Sequence, residues 1–418
     1  MSFEMAEKPE ALVDTQQSFA VPIALVVSLY FGIGFITALN DILVPHFKDL
    51  FHLSNVAALL VQFCFFGAYF VMSLPSGWII GKVGYKRGII AALATMGCGL
   101  LLFQPAARII DYPLFLLGLF IVGSGLALLQ VAVNPYIGAL GTPETAASRL
   151  NLAGGLNSLA GTIAPRVGAI FIFIAAGATA AQLAHSVQGP YLVLAICAFA
   201  MALATAFVPL PEVIARPTAL DTAGVSAWSF RHLKLGALGI FFYVGAEVTI
   251  GSLLINFLGQ PSMGGLSHSA AAFYVSLYWG GAMVGRFIGF FALQRIRTHR
   301  ALAAVSSAAL LLIAITLLAH GHVAMWSVVA CGLCNSIMWP CIFPLALEGL
   351  GKATSQGSGI LVTMVVGGAI IPLLQGLLAD RFGYQRSFIV VFLCYSYILF
   401  YALNGHKMRT QTLLATNL

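Results

Sequence analysis

The sequence predicts an all-α, polytopic membrane protein with twelve transmembrane helices in two pseudo-symmetric six-helix halves. The chain of 418 residues is 60% hydrophobic and only 8% charged, whereas soluble domains are about 25% charged. Its long apolar runs are each close to the ~20 residues that a helix needs to cross a bilayer, unlike the ~10-residue alternating strands of a membrane barrel. This composition excludes a soluble enzyme, a disordered chain and a nucleic-acid-binding protein.

The order of the apolar runs defines the predicted architecture. A linker at 210–232, which contains proline and mixed charge, separates an N-terminal half at 20–209 from a C-terminal half at 233–404. Residues 1–19 and 405–418 are predicted to be tails, and the acidic first tail is unlike the start of a cleaved signal peptide. The predicted spans are 20–46, 56–80, 88–105, 113–140, 147–176, 190–209, 233–258, 270–294, 300–319, 323–349, 354–379 and 386–404.

The distribution of lysine and arginine predicts the orientation in the membrane. With the N-terminus inside, fifteen of the 20 basic residues, Arg286 among them, fall in cytoplasmic segments and four fall outside. Cytoplasmic segments carry such an excess, so the tails and the linker are predicted to be cytoplasmic. The seven cysteines lie in apolar runs and predict neither a metal site nor redox chemistry.

Five segments resemble the fucose–galactose–glucose:proton symporter family of the major facilitator superfamily, and its glucose/galactose branch in particular. The resemblance implies the major facilitator fold and alternating access. It also implies a monomer that carries a hexose with a co-transported cation and needs no other cofactor. The segments are GFITALNDILVPHFK (34–48), LLQVAVNPYIGALG (128–141), RLNLAGGLNSLAGTIAP (149–165), FFYVGAEVTIGSLLINFLG (241–259) and the region 335–380 that begins NSIMWPCIFP.

Two acidic residues inside predicted spans are candidates for cation coupling, because charged groups in a bilayer are costly. Asp41 lies in the first span, where loss of hydration favours uptake of a proton, and proton-coupled relatives use an acid at this motif. A structural acid is the alternative. Glu247, in the seventh span, could bond the sugar, take up a proton or help to hold a cation such as sodium, or it could belong to a buried ion pair. No spacing decides between proton and sodium.

Amide and aromatic side chains inside the spans are the candidates for sugar binding. Amides satisfy hydroxyl groups, and aromatic rings stack on the apolar face of a pyranose. The resemblance places a glutamate of the fucose branch at Gln130, and glutamine cannot titrate but can donate and accept hydrogen bonds. Contact between helices is the alternative for Gln130, and a helix break beside proline is the alternative for Asn134. The predicted substrate-binding residues are Asn40, Gln130, Asn134, Asn157, Asn335 and Trp339.

Two features of the spans concern how helices meet. Arg166 lies nine residues after Asn157, which is half a turn out of phase on a straight helix, so it is predicted to form a gating contact or an ion pair with an acid of the other half. The spacing of Gly281, Gly285 and Gly289 predicts a close-packed helix face.

The predicted function is secondary active symport of a hexose such as glucose, galactose or fucose, with a proton as the coupling cation. Sodium coupling and an uncoupled facilitator or receptor are the alternatives. An enzyme is not predicted, because the sequence has no metal-ligand helix pair, nucleophile elbow or phosphate-binding loop.

Overall fold

The computed structural model describes residues 19–53, 60–172, 179–211 and 226–408. These residues are helical with short connections, and no strand occurs among them. Most of the predicted tails and most of the predicted linker lie outside these ranges. Helices suit such apolar segments, because every backbone N–H and C=O inside a bilayer must find its partner within the segment.

The N-terminal half contains six helical segments in the predicted order. Each long helix covers most of a predicted span, and the third and sixth are interrupted by a single residue. The segments are α1 (Ala20–Leu50), α2 (Leu60–Val83), α3 (Tyr85–Leu101 and Phe103–Ile109), α4 (Tyr112–Ala139), α5 (Ala146–Phe171) and α6 (Ala180–Ser186 and Gln188–Phe207).

The C-terminal half begins at Arg231, two residues before the predicted start of its first span. The tenth segment breaks after Asn335, because Pro340 has no N–H to donate to the carbonyl of residue 336. The segments are α7 (Arg231–Leu258), α8 (His268–Ala292), α9 (Thr298–Leu318), α10 (Gly321–Asn335 and Met338–Leu347), α11 (Thr354–Thr363 and Gly367–Phe382) and α12 (Tyr384–Ser387 and Ile389–Phe400).

The all-α membrane fold is confirmed, although two of the predicted spans are less apolar than the others. Among the described residues, ten helical segments are long and apolar enough to cross a membrane. The other two predicted spans correspond to α5 and α8, which carry polar and charged side chains such as Arg166 and Arg286. The exact number of twelve membrane spans therefore stays a prediction.

Glycines allow several helix pairs to approach closely. A β-carbon at Gly34 would overlap the carbonyl oxygen of Asn157, so this glycine sets the contact between α1 and α5. On α8, a β-carbon at Gly285 would lie 2.7 Å from the Cβ of Ser336, next to the break in α10. Small residues serve this purpose in membrane bundles, where the hydrophobic effect does not drive one helix against another.

The two halves meet near one end of the bundle. We call this end the basic face, because the connections from α2 to α3 and from α8 to α9 lie there, with lysine or arginine side chains in or next to both. Close contacts between α2 and α11 and between α5 and α8 join the halves, with Ser358 Oγ donating to the Val131 carbonyl at 2.8 Å. The end where α5 finishes and α8 begins is the opposite face. The basic face carries Lys82, Lys86, Arg87, Arg295, Arg297 and Arg300.

Candidate transport site

The N-terminal half contains a polar cluster formed by α1, α4 and α5. The hydroxyl of Tyr30 donates to Asn134 Oδ1, and both side chains are buried. Asn157 Nδ2 donates to the backbone carbonyl of Tyr30 at 3.0 Å. The approach at Gly34 brings α1 and α5 close enough for this bond. Two of the predicted sugar-binding amides, Asn134 and Asn157, are therefore brought together on either side of Tyr30.

Other predicted residues of this half lie on α1 and α4. Gln130 Nε2 donates to the hydroxyl of Tyr69 on α2 at 3.1 Å, one turn before Asn134 on α4. Asn40 is buried. Residue 41 belongs to α1, but the Asp41 side chain lies outside the described part of the structure, so its role as a proton acceptor stays a prediction.

The C-terminal half contains a chain of buried hydrogen bonds that runs through α12, α10, α8 and α7. Tyr395 Oη donates to Asn335 Oδ1 at 2.7 Å, and Asn335 Nδ2 contacts Tyr278 Oη at 2.7 Å. Tyr278 Oη in turn donates to the backbone carbonyl of Glu247 at 3.0 Å. Both amide atoms of Asn335 are thus occupied by tyrosines, and the chain of bonds through this residue joins four helices in this conformation. Its predicted contact with sugar stays a prediction.

Trp339 lies just beyond the break in α10 and is half-buried. Its ring stacks on Phe343, with centroids 5.4 Å apart and planes inclined by 27°. A partly exposed indole ring at a helix break can offer one face to a pyranose, which is the role that the sequence predicts for it.

The charged centre of the site is Glu247, and its partner Arg286 was not predicted from the sequence. Glu247 is 9% exposed, and its Oε1 lies 3.9 Å from Nη2 of Arg286 on α8. At that distance Oε1 has no hydrogen-bond partner among the described residues. Tyr243, one turn earlier on α7, is buried beside the two side chains. The buried ion pair, one of the alternatives for Glu247, is therefore present, with one carboxylate oxygen still open to a proton, a hydroxyl or a cation.

Arg286 also joins the two halves. Its Nη1 donates to the Gly154 carbonyl at 3.0 Å and to the hydroxyl of Ser158, both on α5. Asn151 Nδ2 donates back to the Arg286 carbonyl at 2.6 Å. The assignment of Arg286 to a cytoplasmic segment was wrong, because the residue lies well inside α8. Without Arg286, fourteen basic residues remain on the cytoplasmic side against four outside, which leaves the predicted orientation unchanged. Its position inside the predicted span 270–294 was the signal that could have identified it.

Arg166 lies in the part of α5 nearer the opposite face and is exposed. Among the described side chains no carboxylate lies within ion-pair distance of it. Asn157 faces α1, so Arg166, half a turn out of phase, lies on the side of α5 that faces away from α1.

The chain matches the sequence profile of the Major Facilitator Superfamily over residues 26–371. It belongs to the Major Facilitator Superfamily. The polar residues described above therefore lie within a major facilitator fold.

Relatives with known names are transporters. The chain is 51% identical to the glucose/galactose transporter of Brucella abortus, over 94% of this chain and 96% of that protein. It is 32% identical to the L-fucose-proton symporter of Escherichia coli, over 96% of this chain and 95% of that protein. The resemblance stated from the sequence is confirmed, and so is the prediction of a transporter rather than an enzyme.

Solved structures agree with the fold of this major facilitator. The E. coli fucose:proton symporter matches with a TM-score of 0.85 at 30% identity, covering 94% of this chain and 100% of that one. A structure of the symporter in the outward conformation gives the same TM-score at 32% identity.

Proposed function

We propose that this major facilitator is a secondary active transporter that carries a hexose into the cell together with a proton. The names of the relatives, two of which are a glucose/galactose transporter and a fucose-proton symporter, support the substrate class and the proton. The carrying observation is the buried carboxyl of Glu247, which has one oxygen without a hydrogen-bond partner among the described residues and a cation only at 3.9 Å.

The proposed coupling step is the protonation of Glu247, with Asp41 as a second acceptor in α1. When the carboxylate takes up a proton, its attraction to Arg286 falls, and the neutral acid gains an O–H that can donate to a sugar oxygen. Sugar and proton therefore favour one another at this position, which is the requirement for symport.

The proposed sugar site lies between the polar clusters of the two halves. Gln130 and Asn157 are half-buried amides that can bond hydroxyl groups from the N-terminal side. Trp339 supplies a ring from the C-terminal side. Asn40 and Asn134 are more deeply buried, so we assign them to shaping the wall around Tyr30 rather than to a first contact with sugar.

The proposed orientation places the basic face in the cytoplasm and the bundle in the inner membrane. The halves touch near the basic face, so the conformation corresponds to one that is closed toward the cytoplasm. The close match to a transporter solved in the outward conformation supports this assignment.

Uptake of labelled sugar into proteoliposomes tests the proposal. We expect D-glucose, D-galactose or L-fucose to accumulate against its gradient when the outside is made acidic. We expect Glu247→Gln and Asp41→Asn each to abolish this accumulation while leaving exchange of sugar across the membrane. Accumulation driven by a sodium gradient at equal pH would support the sodium alternative. Equilibration without accumulation under either gradient would overturn coupling in favour of a facilitator or receptor.

A further inference from the structure

The helices α5 and α8 run antiparallel and face each other across the two halves. Near the basic face, a β-carbon at Gly155 would lie 3.1 Å from the ring of Phe287, so these two positions are directly opposite. At the same level the Arg286 guanidinium from α8 is docked on the Gly154 carbonyl and the Ser158 hydroxyl of α5. One helix thus extends an arginine onto a carbonyl and a hydroxyl of the other.

The same antiparallel register relates Arg166 to Ser276 toward the opposite face. Arg166 lies eleven residues after Gly155 on α5, and Ser276 lies eleven residues before Phe287 on α8. Eleven residues are close to three helical turns, about 20° away from an exact repeat. Arg166 therefore shares the face of Gly155, and Ser276 shares the face of Phe287.

The arrangement near the opposite face is open. Arg166 and Ser276 are both exposed, and a β-carbon added to Gly280, one turn from Ser276, would meet nothing within 4 Å. The position of Arg166 in α5 also matches that of Arg286 in α8. Arg166 is five residues from the end of its helix, and Arg286 is six residues from the end of its own.

We propose that Arg166 closes the transporter at the opposite face by docking on Ser276 and the carbonyl of Gly280. This contact is the counterpart of the Arg286 contact with Ser158 and Gly154. Because the halves rock as rigid bodies, closing one end of the α5–α8 pair separates the other, so the two arginines dock in alternation. The inference rests on the alternating access of the proposed function.

Spin labels near the opposite face report this closure directly. We place them on Ala181 and His320, exposed residues of the two halves, through introduced p-azidophenylalanine, which leaves the seven native cysteines in place. The protein is reconstituted into liposomes at pH 8, and distances are measured by pulsed electron resonance. A glutamate at position 276 would be ionised there and would pair with Arg166.

We expect Ser276→Glu to raise the ratio of short to long distances about tenfold over the double variant Arg166→Gln/Ser276→Glu. Arg166→Lys should keep part of the effect, and Arg108→Gln, which removes another exposed arginine near that face, should change nothing. Equal distributions for Ser276→Glu and the double variant would overturn the inference. The readout needs no sugar, so failure of sugar accumulation would count against the proposed function alone.

Discussion

Removing the charge of Glu247 should open the contact between the halves near the basic face. Glu247 and Arg286 both belong to the C-terminal half and move as one unit. With the carboxylate ionised the pair has no net charge, and it can be covered by α5. With Glu247→Gln, or with a protonated Glu247, the unit carries one positive charge, and closing the interface buries a guanidinium without its counter-ion.

The size of the effect follows from the geometry. Two unit charges 3.9 Å apart attract by about 4 kcal/mol at an effective dielectric constant of about 20. The side chains are 15% and 11% exposed, so some of this is lost to solvent, and the bonds of Arg286 to α5 remain. We therefore expect the closed state to lose about 2–3 kcal/mol relative to the open one, a factor of about 30–150 in their ratio.

Pulsed electron resonance between labels on Val83 and Gln294 measures this ratio. Both positions are exposed at the basic face, one in each half. For the wild type we expect short distances at high pH and a growing population of long distances as the pH falls and Glu247 gains a proton. The neighbouring titratable groups of the C-terminal half, Tyr243 and Tyr278, are phenols that stay neutral between pH 5 and 8.

The variants separate charge from packing. Glu247→Gln should show long distances at every pH, whereas Glu247→Gln/Arg286→Gln should return toward short distances, because no unpaired charge remains at the interface. Arg295→Gln removes an exposed arginine of the same face and should leave the distances unchanged. If the double variant were as open as Glu247→Gln alone, the reasoning from net charge would be refuted.

Two further predictions concern stability, measured as the midpoint of thermal unfolding of the purified protein. Gly34→Ala should destabilise the folded protein by about 1–3 kcal/mol, because the added β-carbon overlaps the backbone of α5. The control is Gly32→Ala, whose β-carbon would meet nothing within 4 Å and which should be neutral or slightly stabilising. Equal unfolding midpoints for the two variants would contradict the packing argument. Asn335→Ala leaves the buried Tyr395 hydroxyl without its acceptor and removes one of the two partners of the Tyr278 hydroxyl, so it should cost more than Tyr395→Phe, by about 1–3 kcal/mol; a smaller loss for Asn335→Ala would show that the network does not stabilise the bundle.

The positions of the spans could be predicted because a membrane helix satisfies its backbone locally. The hydrophobic runs alone predict both ends of α4 (Tyr112–Ala139) and of α7 (Arg231–Leu258) to within two residues. The break near Pro340 follows from the missing N–H, which is also a local property. None of these features depends on which helix lies beside which.

The pairing of polar side chains could not be predicted in the same way. The sequence shows that Asn335 lies inside a span, but its two partners come from α8 and α12, and only the fold brings them together. The sequence predicts a cytoplasmic position for Arg286, whereas the structure places it inside α8, six residues from the end of the helix. Its role depends on which face of α8 meets α5.

The low hydropathy of α5 and α8 has the same physical origin as these missed contacts. A helix that faces lipid on one side and a fixed neighbour on the other can be apolar throughout. A helix whose face alternates between a protein contact and water must satisfy its polar groups in both states. Serine hydroxyls and glycine carbonyls do this, because water and an arginine can each bond them in turn. The two helices that least resemble membrane spans by composition are therefore the pair expected to move most against each other.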